Sequence, residues 1–120
     1  MSLEQFRLDD RIAIVTGGGT GIGKAIALEF ARAGAHVVVG SRKLEPLEQV
    51  ARAVRELGRK SLTIQVDVRN AEQVDQLVAR TVETFGRLDI LVNNAGASFQ
   101  APVEQITPNG WNAVVGTNLT

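Results

Sequence analysis

The stretch Thr16-Gly17-Gly18-Gly19-Thr20-Gly21-Ile22-Gly23 decides the fold of this 120-residue chain. It follows the apolar run Ile12–Val15, typical of a buried strand, and leads into Gly21–Ala33, which has the apolar spacing of a helix. A strand, a glycine-rich turn and a helix in this order form the setting of a phosphate-binding loop. Glycines let a pyrophosphate approach the backbone, and free N–H groups at the helix start hold the anion.

The glycine spacing distinguishes this loop from two other phosphate-binding patterns. G-x-G-x-x-G does not fit, because Ile22 stands where a third glycine would follow Gly17 and Gly19. A Walker-type loop does not fit either, because no Ser or Thr follows Gly23-Lys24. The match is G-x-x-x-G-x-G, through Gly17, Gly21 and Gly23. Taken alone, the loop could also be an ordinary glycine-rich turn before a helix.

Composition narrows the class of protein. A chain of 120 residues with 44% hydrophobic content predicts one domain with a packed core. The formal net charge of zero argues against binding to nucleic acid or to an anionic membrane. Without cysteine, and with His36 as the single histidine, we expect no disulfide and no metal site. The polar Met1–Asp10 segment does not resemble a signal peptide, so we expect a cytoplasmic protein.

Strand-like runs alternate with amphipathic helices along the chain. The predicted strands are Ile12–Thr16, Val37–Gly40, Leu62–Val66 and Asp89–Val92, and the predicted helices are Gly21–Ala33, about Leu44–Leu57 and about Ala71–Phe85, with a last helix after Thr107-Pro108. Continuous apolar strands separated by helices predict an α/β fold, a Rossmann-type doubly wound parallel sheet. Right-handed crossovers give the strand order 3-2-1-4.

The helices are predicted to bury one apolar face each. For the first helix these positions are Ile22, Ile26, Phe30 and Ala33, and for the third they are Val74, Leu77, Val78, Thr81, Val82 and Phe85. Gly34, Gly58 and Gly86 are placed to end the three helices, and Asn70 to cap the start of the third.

Polar residues gather where the strands end, at the edge that binds ligands in such folds. A site for NAD places Asp or Glu after the second strand to accept from the adenosine 2′-hydroxyl. Ser41 stands there and Arg42 follows, so a guanidinium could pair with a 2′-phosphate. This favours NADP(H) over NAD(H), although Arg42 could instead be a solvated helix-start residue.

Two further clusters belong to the same edge. Asp67 could accept from the adenine amino group while Val68 packs on the ring, or it could be a polar residue at a helix entry. Asn93-Asn94-Ala95-Gly96 follows the fourth strand, where its amides could bond neighbouring backbone or a ribose. Valine at Gly17 or Gly23 is expected to prevent cofactor binding by blocking the approach to the backbone.

Together these motifs resemble the short-chain dehydrogenases/reductases. The pieces are Thr16–Gly23, Asp67-Val68, Asn93–Gly96 and Asn118 in Thr117-Asn118-Leu119-Thr120. The resemblance runs from about Leu8 onward and implies a Rossmann-type domain over residues 1–120 that binds NAD(P)(H) and acts on a small-molecule substrate, in a homotetramer or homodimer when full length. Ala95–Pro102 with Trp111 is similar to trans-2-enoyl-CoA and dienoyl-CoA reductases, a pattern that many of the family's reductases share.

The resemblance also implies residue roles. Gly17, Gly18, Gly19, Thr20, Gly21, Ile22 and Gly23 would hold the phosphates, Ser41 and Arg42 the adenosine ribose, Asp67 and Val68 the adenine, and Asn94, Ala95 and Gly96 the nicotinamide-side ribose. Asn93 would brace the sheet, and Asn118 would hold a water of the proton relay. Thr20 stands where some NADPH-specific members carry a basic residue, so the preference for NADP(H) depends on Arg42.

The family's catalytic Ser and Tyr-x-x-x-Lys lie downstream of the Asn118 motif, and this sequence contains no tyrosine. We therefore expect the domain to lack its C-terminal half, and a further strand to pair with the apolar strand Asp89–Val92. The leading hypothesis is an NADP(H)-dependent oxidoreductase that moves hydride to or from a carbonyl, alcohol or enoyl substrate. The alternatives are a non-catalytic NADP(H)-binding module and a fragment without activity.

Overall fold

The computed structural model describes residues 7–19 and 21–94. The strands are β1 (Ile12–Thr16), β2 (His36–Ser41), β3 (Ser61–Gln65) and β4 (Ile90–Asn93), and the helices are α1 (Gly21–Arg32), α2 (Leu44–Glu56) and α3 (Ala71–Phe85). The predicted alternation of strands and helices is confirmed. The helix predicted after Thr107 lies outside the described residues.

The four strands form one parallel sheet in the order β3-β2-β1-β4, which confirms the predicted fold class. β1 is central, and its residue Ile14 lies between Val38 of β2 and Leu91 of β4. Because all strands run the same way, their carboxyl ends meet at one edge. There Thr16 aligns with Gly40 on one side and with Asn93 on the other.

Helices cover both faces of the sheet. Alternate residues of β1 point to opposite faces, so Ala13 and Val15 pack with α1 and α2, while Ile12 and Ile14 pack with Leu77 of α3. The residues of β1 are at most 3% exposed. A central strand that is apolar on both faces is the pattern expected of a parallel sheet between helical layers.

The helix ends follow the predicted chemistry. Asn70 accepts a 3.1 Å hydrogen bond from the Gln73 backbone N–H at the start of α3. Gly34 follows α1 with φ of 110°, and the Ala35 N–H donates to the Phe30 carbonyl at 3.0 Å. This is the left-handed cap that glycine favours, and it turns the chain directly into β2.

The predicted buried faces need two corrections. Ile22 is 70% exposed and Val82 is 38% exposed, although both were expected to be buried. Each lies five residues from a fully buried helix position, Ala27 in α1 and Leu77 in α3. Five residues correspond to a rotation of about 140° around a helix, so these two side chains point well away from the sheet. No helix among the described residues is long and apolar enough to span a membrane.

At the amino edge of the sheet, a carboxylate joins the beginnings of β1 and β4. The Ile12 N–H donates to Asp89 Oδ2 at 2.9 Å, and the Asp89 N–H donates back to the Ile12 carbonyl at 2.9 Å. Arg87 and Arg11 pair with the same carboxylate. Burial raises the pKa of Asp89, but the hydrogen bonds from Arg87 and Ile12 and the nearby guanidinium charges outweigh burial, so the pKa is lowered overall.

His36 is the first residue of β2, at the same edge of the sheet. Its Nδ1 accepts from the Lys60 backbone N–H at 2.9 Å, and its Nε2 lies 3.3 Å from Asp10 Oδ1. Because both ring nitrogens are engaged within the protein, His36 acts here as a connection between the β1, β2 and β3 ends of the sheet.

Candidate functional site

Thr16 ties the ends of β1 and β4 together at the carboxyl edge. Its hydroxyl donates to Asn93 Oδ1 at 2.9 Å and accepts from the Asn94 backbone N–H at 3.1 Å. Thr16 is 2% exposed and Asn93 is 4% exposed, so this connection is buried. The Asn93 side chain thus connects β4 to β1. The chain then leaves β4 at Asn94, beside the glycine loop.

The glycines of the loop meet two different requirements. Gly21 has φ of 58°. Apart from its chain neighbours, no described residue has a heavy atom within 4 Å of a Cβ added there, so the described part of the chain leaves this side of the backbone open. A Cβ at Gly23 would lie 2.0 Å from the Gly17 carbonyl oxygen and 2.8 Å from Asn94 Nδ2. Gly21 therefore leaves room for a ligand, whereas Gly23 allows α1 to pack against the loop.

This geometry changes the expected reason why Gly23 must be glycine. We expected a side chain there to block the approach of the cofactor, but it would first collide with Gly17. Gly18 and Gly19 are similarly close-packed: added Cβ atoms would lie 3.0 Å from Val39 Cγ1 and 2.9 Å from Pro46 Cβ. The loop is thus held against β2 and the start of α2.

A cavity of about 720 Å³ opens beside the loop and the start of α2. Its lining includes three cations, Lys24, Arg42 and Lys43, and one carboxylate, Glu45. Among the described residues, none of these three cations forms an ion pair. The cavity combines unpaired positive charge with the amino end of a helix, which is an arrangement suited to an anion.

Sequence reasoning found Arg42 but not Lys24 or Lys43. Lys43 directly follows Arg42 and could have been included on that ground alone. Lys24 belongs to the first turn of α1, and only the close packing of the loop on Pro46 brings it to the same cavity. The Ser41 hydroxyl lies within the turn that carries Arg42 and Lys43, where it accepts from the Lys43 N–H at 3.3 Å and donates to the Lys43 carbonyl at 2.9 Å.

A second cavity of about 460 Å³ lies between the end of β3 and α3. Its lining includes the apolar residues Ile64, Val66 and Leu77 together with polar residues, among them Arg42, Gln65 and Asp67. Arg42 and Gln65 line both cavities. Ile64, Val66 and Leu77 are at most 5% exposed, so the cavity presents mainly the polar groups around them.

Asp67 is ionised at this cavity. Its Oδ1 accepts from the Arg69 side chain and the Arg69 backbone N–H, both at 3.0 Å, and its Oδ2 accepts from Arg69 Nη2 at 2.9 Å. These hydrogen bonds hold the pKa of Asp67 at about 2, below its usual 3.8. The structure thus brings Asp67 and Arg42 together, as predicted, and adds Arg69 as a partner that the sequence analysis missed.

The positions of these residues agree with the motifs. A family model described as short chain dehydrogenase matches residues 11–120. The chain belongs to this family. Thr20, Ala95, Gly96 and Asn118, which the family resemblance places at the site, lie outside the described residues.

Two proteins similar to this chain are named as oxidoreductases. An uncharacterised oxidoreductase of Mycobacterium tuberculosis is 48% identical over 82% of the chain and 37% of its own length. A probable 2,4-dienoyl-CoA reductase of Bacillus subtilis is 39% identical over 90% of the chain and 42% of its own length. The chain therefore spans less than half of either relative.

A solved structure agrees with this assignment. The crystal structure of a hydroxysteroid dehydrogenase from Escherichia coli superposes with a TM-score of 0.72 at 38% identity, over 82% of this chain and 40% of that one. Family membership implies a nicotinamide cofactor, NAD or NADP.

Proposed function

We propose that this chain forms the cofactor-binding part of an NADP(H)-dependent oxidoreductase. The observation that carries the proposal is the cluster of Lys24, Arg42 and Lys43 around one cavity, with no ion pair to any of them among the described residues. The lining is cationic overall despite Glu45, and a 2′-phosphate would add about two negative charges beside Arg42. Ser41 ends β2 where a site for NAD would place Asp or Glu to bond a free 2′-hydroxyl.

The described residues offer a place for each part of the adenosine half. Gly21 and the start of α1 would hold the pyrophosphate, because the backbone is open there. Arg42 and Lys43 would pair with the 2′-phosphate, Arg42 through two N–H donors at once. The adenine would enter the second cavity, with its amino group toward Asp67, whose ionised carboxylate only accepts hydrogen bonds.

The bound cofactor would supply or accept hydride at its nicotinamide ring, and the protein would bind and orient it. Asn94 directly follows β4, and its Nδ2 would lie 2.8 Å from a Cβ at Gly23. We propose that Asn94, Ala95 and Gly96 face that ribose and that Asn118 takes part in the proton relay. The substrate class we propose is a carbonyl, alcohol or enoyl compound, and the active form a homo-oligomer.

The test compares NADPH with NADH, and adenosine 2′,5′-bisphosphate with 5′-AMP, by calorimetry on the 120-residue chain. The bisphosphate and 5′-AMP differ only in the 2′-phosphate, and they engage only the adenosine half of the site. We expect tighter binding of the phosphorylated member of each pair. Arg42→Ala should remove most of the difference, about 1.5–3 kcal/mol for a charge-assisted contact, or about ten- to a hundredfold in affinity.

Arg52→Ala is the matched control, because Arg52 is an exposed arginine of α2 that lines neither cavity. It should leave both affinities unchanged. Equal affinity of the parent chain for the two members of each pair would refute the preference for NADP(H).

A further inference from the structure

The turn that presents Arg42 and Lys43 has a hydrogen bond to each of its carbonyl groups. The Ser41 carbonyl accepts from the Val66 N–H at 2.9 Å, and the Lys43 carbonyl accepts from Ser41 Oγ at 2.9 Å. The Arg42 carbonyl accepts from Gln65 Nε2 at 2.8 Å. Three consecutive carbonyls are thus fixed, the middle one by a side chain from a different strand.

Gln65 is the last residue of β3, and its side chain is not required for the sheet. The pairing of Ser41 with Gln65 is made by backbone atoms, and Gln65 is exposed rather than part of either apolar cluster. Its side chain lines both cavities, as Arg42 does, so the bond between them lies on the boundary between the two cavities. The Gln65 side chain therefore stabilises the turn by a hydrogen bond and does not contribute to the apolar core.

We propose that Gln65 is a positioning residue for selection of the 2′-phosphate, and that it acts through Arg42. This inference rests on the proposed function above. The hydrogen bond from Gln65 fixes the position of the Arg42 backbone between the two cavities. The guanidinium therefore extends from an ordered backbone. Without it, ordering the turn would oppose phosphate binding. A ligand without a 2′-phosphate lacks the group that the guanidinium pairs with, so its affinity should depend on Gln65 much less, through the second cavity, proposed for adenine, which Gln65 also lines.

The experiment measures adenosine 2′,5′-bisphosphate and 5′-AMP binding to Gln65→Leu. Leucine keeps much of the volume but cannot donate to the Arg42 carbonyl. We expect bisphosphate affinity to fall about three- to tenfold, as for one neutral hydrogen bond, while 5′-AMP affinity changes less than about twofold. Gln65→Glu should lose more bisphosphate affinity, because its carboxylate has no donor and places a negative charge near the phosphate.

Thr63→Val is the matched control. Thr63 lies two residues earlier on β3, and its Oγ1 donates to Glu48 Oε1 of α2 at 2.9 Å, but it lines neither cavity. Removing this bond should change neither affinity. Circular dichroism and urea unfolding of all variants establish that the fold is retained.

A double mutant tests whether Gln65 acts through Arg42. In the Arg42→Ala background, Gln65→Leu should have no further effect on bisphosphate binding. A persistent effect there, an equal loss for both ligands, or no loss in either Gln65 variant would overturn the inference. A parent chain that does not prefer the bisphosphate would overturn the proposed function as well, so the two failures are distinguishable.

Discussion

The two edges of the sheet differ in how far their charged side chains are paired. At the amino edge, Asp89 is paired with Arg87 and Arg11, and Asp10 lies within 4 Å of both His36 and Arg59. At the carboxyl edge, Lys24, Arg42 and Lys43 line one cavity, and no described residue forms an ion pair with them.

The difference separates charge that stabilises the fold from charge that is available to a ligand. A carboxylate bonded to the backbone of the opposite strand, as Asp89 is, contributes to strand pairing. Cations gathered without partners repel one another, which disfavours the folded state until an anion binds. The unpaired cations at the carboxyl edge are therefore available to an anion. The paired charges at the amino edge instead help to hold β1 and β4 together.

The largest expected effect comes from the packing beneath the carboxyl edge. Gly23→Ala would bring a Cβ to 2.0 Å from the Gly17 oxygen, so α1 and the loop must separate. We expect a loss of about 3 kcal/mol in the free energy of unfolding, measured in urea, together with loss of NADPH binding.

Gly21→Ala is the companion variant for that comparison. Its Cβ would meet no heavy atom of the described residues beyond its chain neighbours, and the expected cost is about 1 kcal/mol from the left-handed backbone alone. Equal destabilisation by the two substitutions would show that backbone conformation, and not close packing, explains the glycine at position 23.

Asp89→Asn removes the carboxylate that joins the beginnings of β1 and β4 at the amino edge. We expect a loss of about 1.5 kcal/mol at pH 7, because the charged acceptor for Arg87 and the Ile12 N–H is lost. The folded-state pKa of Asp89 is lowered, so its contribution is fully present above the unfolded value of about 3.9 and is lost as pH falls through the folded value.

Urea unfolding between pH 7 and pH 2 checks this. The gap between the parent chain and Asp89→Asn should close toward the acid end. Asp75→Asn, an exposed carboxylate of α3, is the control and should follow the parent throughout. A gap that stays constant with pH would contradict the assignment.

The smallest effect on stability is expected at the exposed ion pair of the carboxyl edge, Asp67 with Arg69. Arg69→Ala should raise the Asp67 pKa from about 2 toward its usual 3.8, measured by NMR of the carboxyl carbon. Urea unfolding at pH 7 should not change measurably, because exposed pairs contribute little. A pKa that stays near 2 would show that groups other than the Arg69 side chain, such as the residue-69 backbone N–H, hold it there.

Local sequence signals predicted the fold well. Residues such as Asn70 and Gly34 act within one turn of their own position, and their roles are confirmed. The buried faces of the helices were predicted less well, because apolar spacing alone does not fix how much of a helix meets the sheet, and Ile22 and Val82 point away from it.

The site was only partly predictable for a related reason. Arg42 and Asp67 lie one and two residues after β2 and β3, so the topology alone placed them at the edge. Gln65 and Lys24 reach the site through contacts with other elements, and no local pattern marks such residues.

The sequence separation between β1 and each of its two partner strands has a consequence for the order of folding. β1 pairs with β2 across 24 residues of sequence but with β4 across 77. Closing the longer loop costs about 1 kcal/mol more in chain entropy. We therefore expect β1, β2 and β3 to associate first and β4 to join them later. Because the Thr16 hydroxyl finds Asn93 and Asn94 only when β4 arrives, this part of the site is completed late in folding, and it opens early when the chain begins to unfold.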